Sequence, residues 1–273
     1  MWSPSQMMKT LFAVMMWFGF TASAAEIDTS SVDWRESADV AALFQQAGVD
    51  GTFVLFDLQE QSLEGFNLRR ANQRYTPSGT FNIAHTLIGL STGAVSSLDE
   101  VVPYPGGDQR QDAWERDMSL REAFLIANDA FYQALAREIG PSQMQQHISA
   151  LIYGNREFES TLDPFWEEGI LHISAVEQVR FLSLLVRDAL PYPRELLSTV
   201  RELMLLESGD NWQLYGDTGW ENAPEAGVGW WIGWLQKDGR WYTFALNMDI
   251  EEPADANERL SLGKASLQAL GLL

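Results

Sequence analysis

The sequence predicts a mixed α/β protein of the α+β type. One antiparallel sheet built from both ends of the chain is covered by helices and carries a helical insertion. Three observations point there. Strand-like apolar runs cluster near the two ends, at Thr52-Phe53-Val54-Leu55-Phe56 and over residues 229–235 and 241–248. The stretch between, from about Leu98 to Ser208, reads as mostly helical. With 273 residues, 46% of them hydrophobic, and with 11 Trp and 14 Phe, the chain can bury a sizeable core. Strands at both ends with helices between are the α+β pattern.

Each element has a local reason. Lys9 precedes an apolar run from Leu11 to Phe20, and Thr21-Ala22-Ser23-Ala24 offers a small-residue cleavage site, so residues 1–24 read as a signal peptide. About ten apolar residues are half of what a membrane-spanning helix needs. The expectation is a single domain over residues 25–273, periplasmic or secreted, with no transmembrane segment in the mature chain. Ser37 to Ala47 reads as a short amphipathic helix, Thr52 to Phe56 as a buried strand and Gly65 to Leu68 as its hairpin partner. Phe81 to Leu90 has helical spacing behind a Pro-Ser-Gly-Thr turn, with Thr80 as a possible cap. Ser174-Ala175-Val176-Glu177 is a capping box, since serine and glutamate satisfy orphan backbone donors reciprocally; its helix runs through Leu185. Asp238-Gly239 between two apolar runs signals a hairpin. A last helix runs from about Asn257 to Leu270, and Gly271 stops it.

Charge and cysteine narrow the function classes. Loss of Lys9 with the signal leaves 17 basic against 38 acidic residues, a net charge of −21. Such a surface repels nucleic acid and anionic lipid headgroups, so no nucleic-acid partner is expected. Charge alone names no protein partner. The chain has no cysteine, which excludes thiol chemistry and disulfides alike.

The motifs that carry chemistry are spread over the whole mature chain. Tyr75-Thr76-Pro77-Ser78-Gly79-Thr80-Phe81-Asn82-Ile83 and Tyr215-Gly216-Asp217-Thr218-Gly219-Trp220 are the most telling. Tyr153-Gly154-Asn155, Phe165-Trp166-Glu167-Glu168-Gly169 and Gly229-Trp230-Trp231-Ile232-Gly233-Trp234 follow in a consistent order with several further blocks. Together they resemble the class D (oxacillinase-type) serine β-lactamases. The resemblance implies the serine β-lactamase and penicillin-binding-protein fold, penicillin as ligand class, and no cofactor or metal. In that family the first segment reads Pro-x-Ser-Thr-Phe-Lys-Ile, with serine as nucleophile and a lysine, working as its carbamate, as base. A Ser-x-Val serine orients that lysine, and a Lys-Thr-Gly strand faces the substrate.

Here each of those polar positions holds something else. Gly79 stands at the serine, Asn82 at the lysine, Ala127 at the Ser-x-Val serine with Asp129 at its valine, and Asp217 at the strand lysine. The resemblance therefore implies a pseudoenzyme, a hydrolase fold without its catalytic residues. It also carries over a ligand-binding set: Thr218 and Gly219 on the strand edge, Trp166 over the site, and Arg259, twelve residues before Gly271, as a carboxylate fork.

Rival readings stay open. Ser78 lies one residue early, and Phe81, not a base, follows it by three. His85 is either a displaced base or an ordinary helix histidine. Asp129, Asp217 and Asn82 either present oxygens to a hard cation or are simply solvated or hydrogen-bonded. Arg259 is either a carboxylate fork or a surface arginine. At the level of function, the chain is expected to be a non-catalytic binding or regulatory protein with a small-molecule or peptide ligand in a vestigial cleft. The alternatives are a residual or altered acyl hydrolase with weak penicillin binding, and a purely structural partner protein.

Overall fold

The computed structural model describes residues 33–104, 106–109, 111–158, 165–167, 169–221 and 226–273. The expected signal peptide, the start of the mature domain and Glu168 lie outside the described residues. Seven strands make the main sheet. From the first half come β1 (Trp34–Glu36), β2 (Gly51–Asp57) and β3 (Ser62–Phe66). The second half supplies β4 (Leu205–Ser208), β5 (Trp212–Trp220), β6 (Gly227–Lys237) and β7 (Arg240–Ile250). Their order across the sheet is β1-β3-β2-β7-β6-β5-β4. The two halves join where β2 pairs antiparallel with β7, Phe53 opposite Leu246. The one departure from an antiparallel sheet is β1, which runs parallel to β3.

The helices are α1 (Ala38–Ala47), α2 (Asn82–Thr92), α3 (Leu120–Leu125), α4 (Asp129–Ile139), α5 (Pro141–Ala150), α6 (Ala175–Val186), α7 (Arg194–Leu203) and α8 (Glu258–Ala269). Alternation along β6 shows how the sheet is covered. Trp230, Ile232 and Trp234 enter the larger core with α2, α4, α6 and α7, while Trp231 and Leu235 enter a second core with α1 and α8. Successive side chains of a strand point to opposite faces, so a strand buried on both faces reads as a continuous apolar run.

Local chemistry explains most boundaries. Ser37 caps α1 by accepting from the Val40 N–H, and Gly48 ends the helix at φ 71°. Ser174 and Glu177 form the expected capping box on α6. A second box, Ser119 with Glu122, opens α3. In the β6–β7 hairpin Lys237 pairs with Arg240 around Asp238 and Gly239, at φ 50° and 76°. Both central residues are left-handed, as a type I′ turn requires.

Two expectations need correction. Thr80 does not cap the helix; its hydroxyl donates to the Pro77 carbonyl at 2.6 Å, and residues 78–81 form a 3₁₀ turn that runs into α2. The partner of β2 ends at Phe66, because Asn67, at φ 61°, caps a short helical turn, Leu68–Ala71. Among the described residues no helix is long and apolar enough to cross a membrane.

Candidate functional site

The site lies where the turn before α2 meets β5. The turn is tied on three sides. The Trp230 indole donates to the Thr76 carbonyl at 2.8 Å, and the Ser78 N–H donates to the Trp166 carbonyl at 2.8 Å. Gln178 on α6 donates to the Thr80 hydroxyl at 2.9 Å. Ser78 has φ 48°, which a non-glycine residue rarely adopts and which must be held by its surroundings. Its hydroxyl is buried and has no hydrogen-bond partner.

Gly79 faces the middle of β5. A Cβ at residue 79 would sit 2.7 Å from the Thr218 carbonyl oxygen. In return, a Cβ at Gly219 would sit 2.9 Å from the Pro77 carbonyl oxygen. Two glycines thus let backbone approach backbone. Thr218 and Gly219 lie on this edge, opposite Trp231 and Trp230 of β6.

Behind Gly79 the turn leads into an aromatic nest. Asn82 begins α2 with 2% of its surface exposed, and its Oδ1 has no donor. His85, one turn on, is fully buried between the rings of Phe81 (5.4 Å), Tyr132 (5.1 Å) and Trp166 (5.0 Å). Burial lowers its pKa to about 3, and neither ring nitrogen has a partner. It stays neutral at neutral pH and is a feeble base. Trp166 is also fully buried, its ring against Phe81, Phe165 and His85. It forms the floor below the turn, and no part of its ring meets solvent.

Asp217 and Arg259 carry the charge of the site. Asp217 accepts the Thr218 N–H on Oδ1 at 2.8 Å, while its Oδ2 is buried without a partner. Desolvation raises its pKa to about 7, against the Thr218 hydrogen bond and the field of Arg259, which lower it. The residue keeps partial contact with solvent, as do Gly79 and Thr218, although the carboxyl itself is sunk. Arg259, near the start of α8, donates to the Ala256 carbonyl and leaves its Nε buried without a partner. It influences Asp217 through the field, and among the described residues no ion pair joins the two.

Asp129 opens α4 and is not among the charges acting on Asp217. Two mutually repelling carboxylates therefore do not account for the raised pKa; burial does. Ala127 sits in the exposed link between α3 and α4 at φ 48°, with its N–H on the Phe124 carbonyl. Among the described residues no group of three His, Cys, Asp or Glu side chains converges as a metal site would need. Lys237 donates to the Gly271 carbonyl and Lys264 pairs with Glu207. The two lysines among the described residues are thus engaged elsewhere.

With this geometry in hand, three relationships decide the ancestry. A family model described as the penicillin binding protein transpeptidase domain matches residues 42–267. Beta-lactamase OXA-10 of Pseudomonas aeruginosa is 32% identical over 97% of this chain and 99% of its own length. The crystal structure of FUS-1 (OXA-85), a class D beta-lactamase from Fusobacterium nucleatum subsp. polymorphum, superposes with a TM-score of 0.83 at 36% identity, over 88% of this chain and 100% of that one. The chain belongs to the class D β-lactamase family. Probable beta-lactamase YbxI of Bacillus subtilis (strain 168) adds 38% identity over 73% of this chain and 74% of its own.

Within the class D β-lactamase frame, sequence reasoning missed two features of the site. One is the aromatic cage that neutralises His85, built from Phe81, Tyr132 and Trp166 on three separate segments. The other is the backbone approach of β5 to the turn. A paired signal for the second was present: glycine at 79 and at 219, each where another strand or turn must pass close.

Proposed function

We propose that this class D β-lactamase-family chain has lost acyl-enzyme chemistry. It is read as a non-catalytic binding or regulatory protein, exported to the periplasm after removal of residues 1–24, whose vestigial cleft takes a small-molecule or peptide ligand. One observation carries the reading: at the turn facing β5, Gly79 supplies no hydroxyl, and the group one helical turn behind it is the neutral amide of Asn82. Nucleophilic catalysis needs both an attacking atom and a base within reach, and such groups act as a unit.

The relatives' names favour a rival reading, since they are β-lactamases. A residual hydrolase would have to use Ser78 or a water polarised by a carboxylate. Ser78 is 1% exposed, with no base on its hydroxyl, and His85 is held neutral by burial. Those facts support the binding reading. The expected result is no nitrocefin turnover above a buffer blank, no labelling by a fluorescent penicillin and no penicilloyl mass adduct. An adduct mapped to any residue would return the chain to the enzymes.

A further inference from the structure

The turn and the strand beside it leave unusual polar atoms without partners, and their chemistry points one way. Asp217 Oδ2 and Asn82 Oδ1 are acceptors with no donor. A buried carboxylate oxygen left bare costs more than a bare neutral group, so this position favours a partner that donates hydrogen bonds and carries positive charge. Among the described residues none is supplied. Arg259 directs Nη1 to the Ala256 carbonyl, Lys237 is on the Gly271 carbonyl and Lys264 is on Glu207. An anion approaching the partly exposed edge of β5 at Asp217 and Thr218 would be repelled by the Asp217 carboxylate in its charged form. An ammonium group offers three donors and no acceptor, and it is small enough to follow a partly exposed strand edge.

We infer that the Asp217 carboxylate is the anchor for a primary ammonium group, borne by a free amine or by a lysine-type side chain of a peptide, entering where Gly79 and Thr218 reach solvent. This deepens the binding reading above and rests on it. The two fail separately, because acylation by penicillin is read by mass and ammonium binding by titration. The pH profile follows from the groups that face Asp217. Arg259 on α8 stays charged, the pKa values of Tyr132 on α4 and Tyr153 after α5 are pushed up, and His85 on α2 stays neutral. Over the range between pH 5 and 8 Asp217 is the group at the site that changes charge, with a pKa of about 7.

The test is calorimetric or NMR titration of the mature chain with Nα-acetyl-lysine amide, with the same compound acetylated on its ε-amine, and with a lysine-containing cell-wall peptide. Work in about 0.5 M salt screens the diffuse attraction of the acidic surface. The ε-ammonium compound is expected to bind near pH 8 and to weaken roughly thirtyfold near pH 5.5, the fall in ionised Asp217 for a pKa of about 7. The acetylated compound should bind at least tenfold more weakly near pH 8, and Asp217→Asn should remove both the preference and the pH dependence. Tighter binding of the peptide than of the small amide would assign the ligand to a peptide; equal binding would assign it to a free amine. Equal affinity for the acetylated compound, a flat pH profile in the wild type, or no binding of either amine up to millimolar concentration would overturn the inference. The first two need no variant, so a misfolded substitution cannot hide the answer.

Discussion

Replacing Gly79 by serine is expected to give a less stable protein that turns over nitrocefin no faster than the wild type. The added Cβ would meet the Thr218 carbonyl oxygen at 2.7 Å, closer than real Cβ contacts come. That obstacle is strand backbone, with Thr218 held opposite Trp231 of β6, so it cannot swing away as a long side chain would. Overpacking of this kind costs about 1–3 kcal/mol, which thermal unfolding would detect. The new hydroxyl would also lack a base. Asn82 cannot take its proton, His85 has a pKa of about 3, and both lysines are held elsewhere. A serine without a base is a weak nucleophile at neutral pH. The informative comparison adds Asn82→Lys, Ala127→Ser and Asp217→Lys to Gly79→Ser. Turnover from Gly79→Ser alone would show that the missing base has been assigned wrongly. A single variant as stable as the wild type would show that β5 yields more readily than its pairing implies.

How far the sequence could be read follows from how local each cause is. The β6–β7 hairpin and the Ser174–Glu177 capping box were legible because each depends on residues within one turn of one another. The strand β1 was not. Trp34-Arg35-Glu36 has no clear alternation, and its strand conformation comes from pairing with β3 at Leu63 to Gly65. Thr80 misled for a related reason: its hydroxyl donates to the Pro77 carbonyl and accepts from the Gln178 amide, instead of accepting from an N–H of the helix it precedes. At the site, the residue identities at 79, 82, 127 and 217 are written in the sequence, and so is the resemblance that gives them meaning. Their environment is not. The neutrality of His85 depends on rings from three segments, and the pKa of Asp217 depends on how deeply its carboxyl is packed within β5. Residue type alone does not reveal that desolvation is the leading cause of the raised Asp217 pKa.

Because that burial opposes the charged form, Asp217→Asn is expected to stabilise the protein at neutral and alkaline pH. Unfolded, the carboxyl titrates near its ordinary value of 3.8; folded, it titrates at about 7. Between those values the folded state holds the extra proton, so stability falls as pH rises through the window and levels off above it. The stability that Asp217 contributes is complete below pH 3.8 and lost once pH has passed 7. A shift of this size corresponds to about 4 kcal/mol as a ceiling, since one pKa unit is worth about 1.4 kcal/mol. Asparagine keeps the acceptor for the Thr218 N–H but brings an amide N–H₂ into the place of the bare Oδ2, which costs about 1–3 kcal/mol. The expected outcome near pH 8 is therefore a net gain of about 2 kcal/mol, a few degrees in Tm for a chain this long. Near pH 4 the gain should vanish or reverse, because the wild-type carboxyl is then protonated as well. Four other carboxylates among the described residues act in the opposite sense. Asp99, Glu100, Glu122 and Glu177 have lowered pKa values from their hydrogen bonds, so they add stability as pH rises rather than removing it. Melting curves of both proteins across pH 4 to 9 make the comparison, and parallel curves would show that Asp217 is solvated in the folded state. An ammonium ligand should act in the opposite sense to the mutation's advantage. By supplying the charge and donors that Oδ2 lacks, it would raise the wild-type Tm near pH 8 and leave Asp217→Asn unmoved.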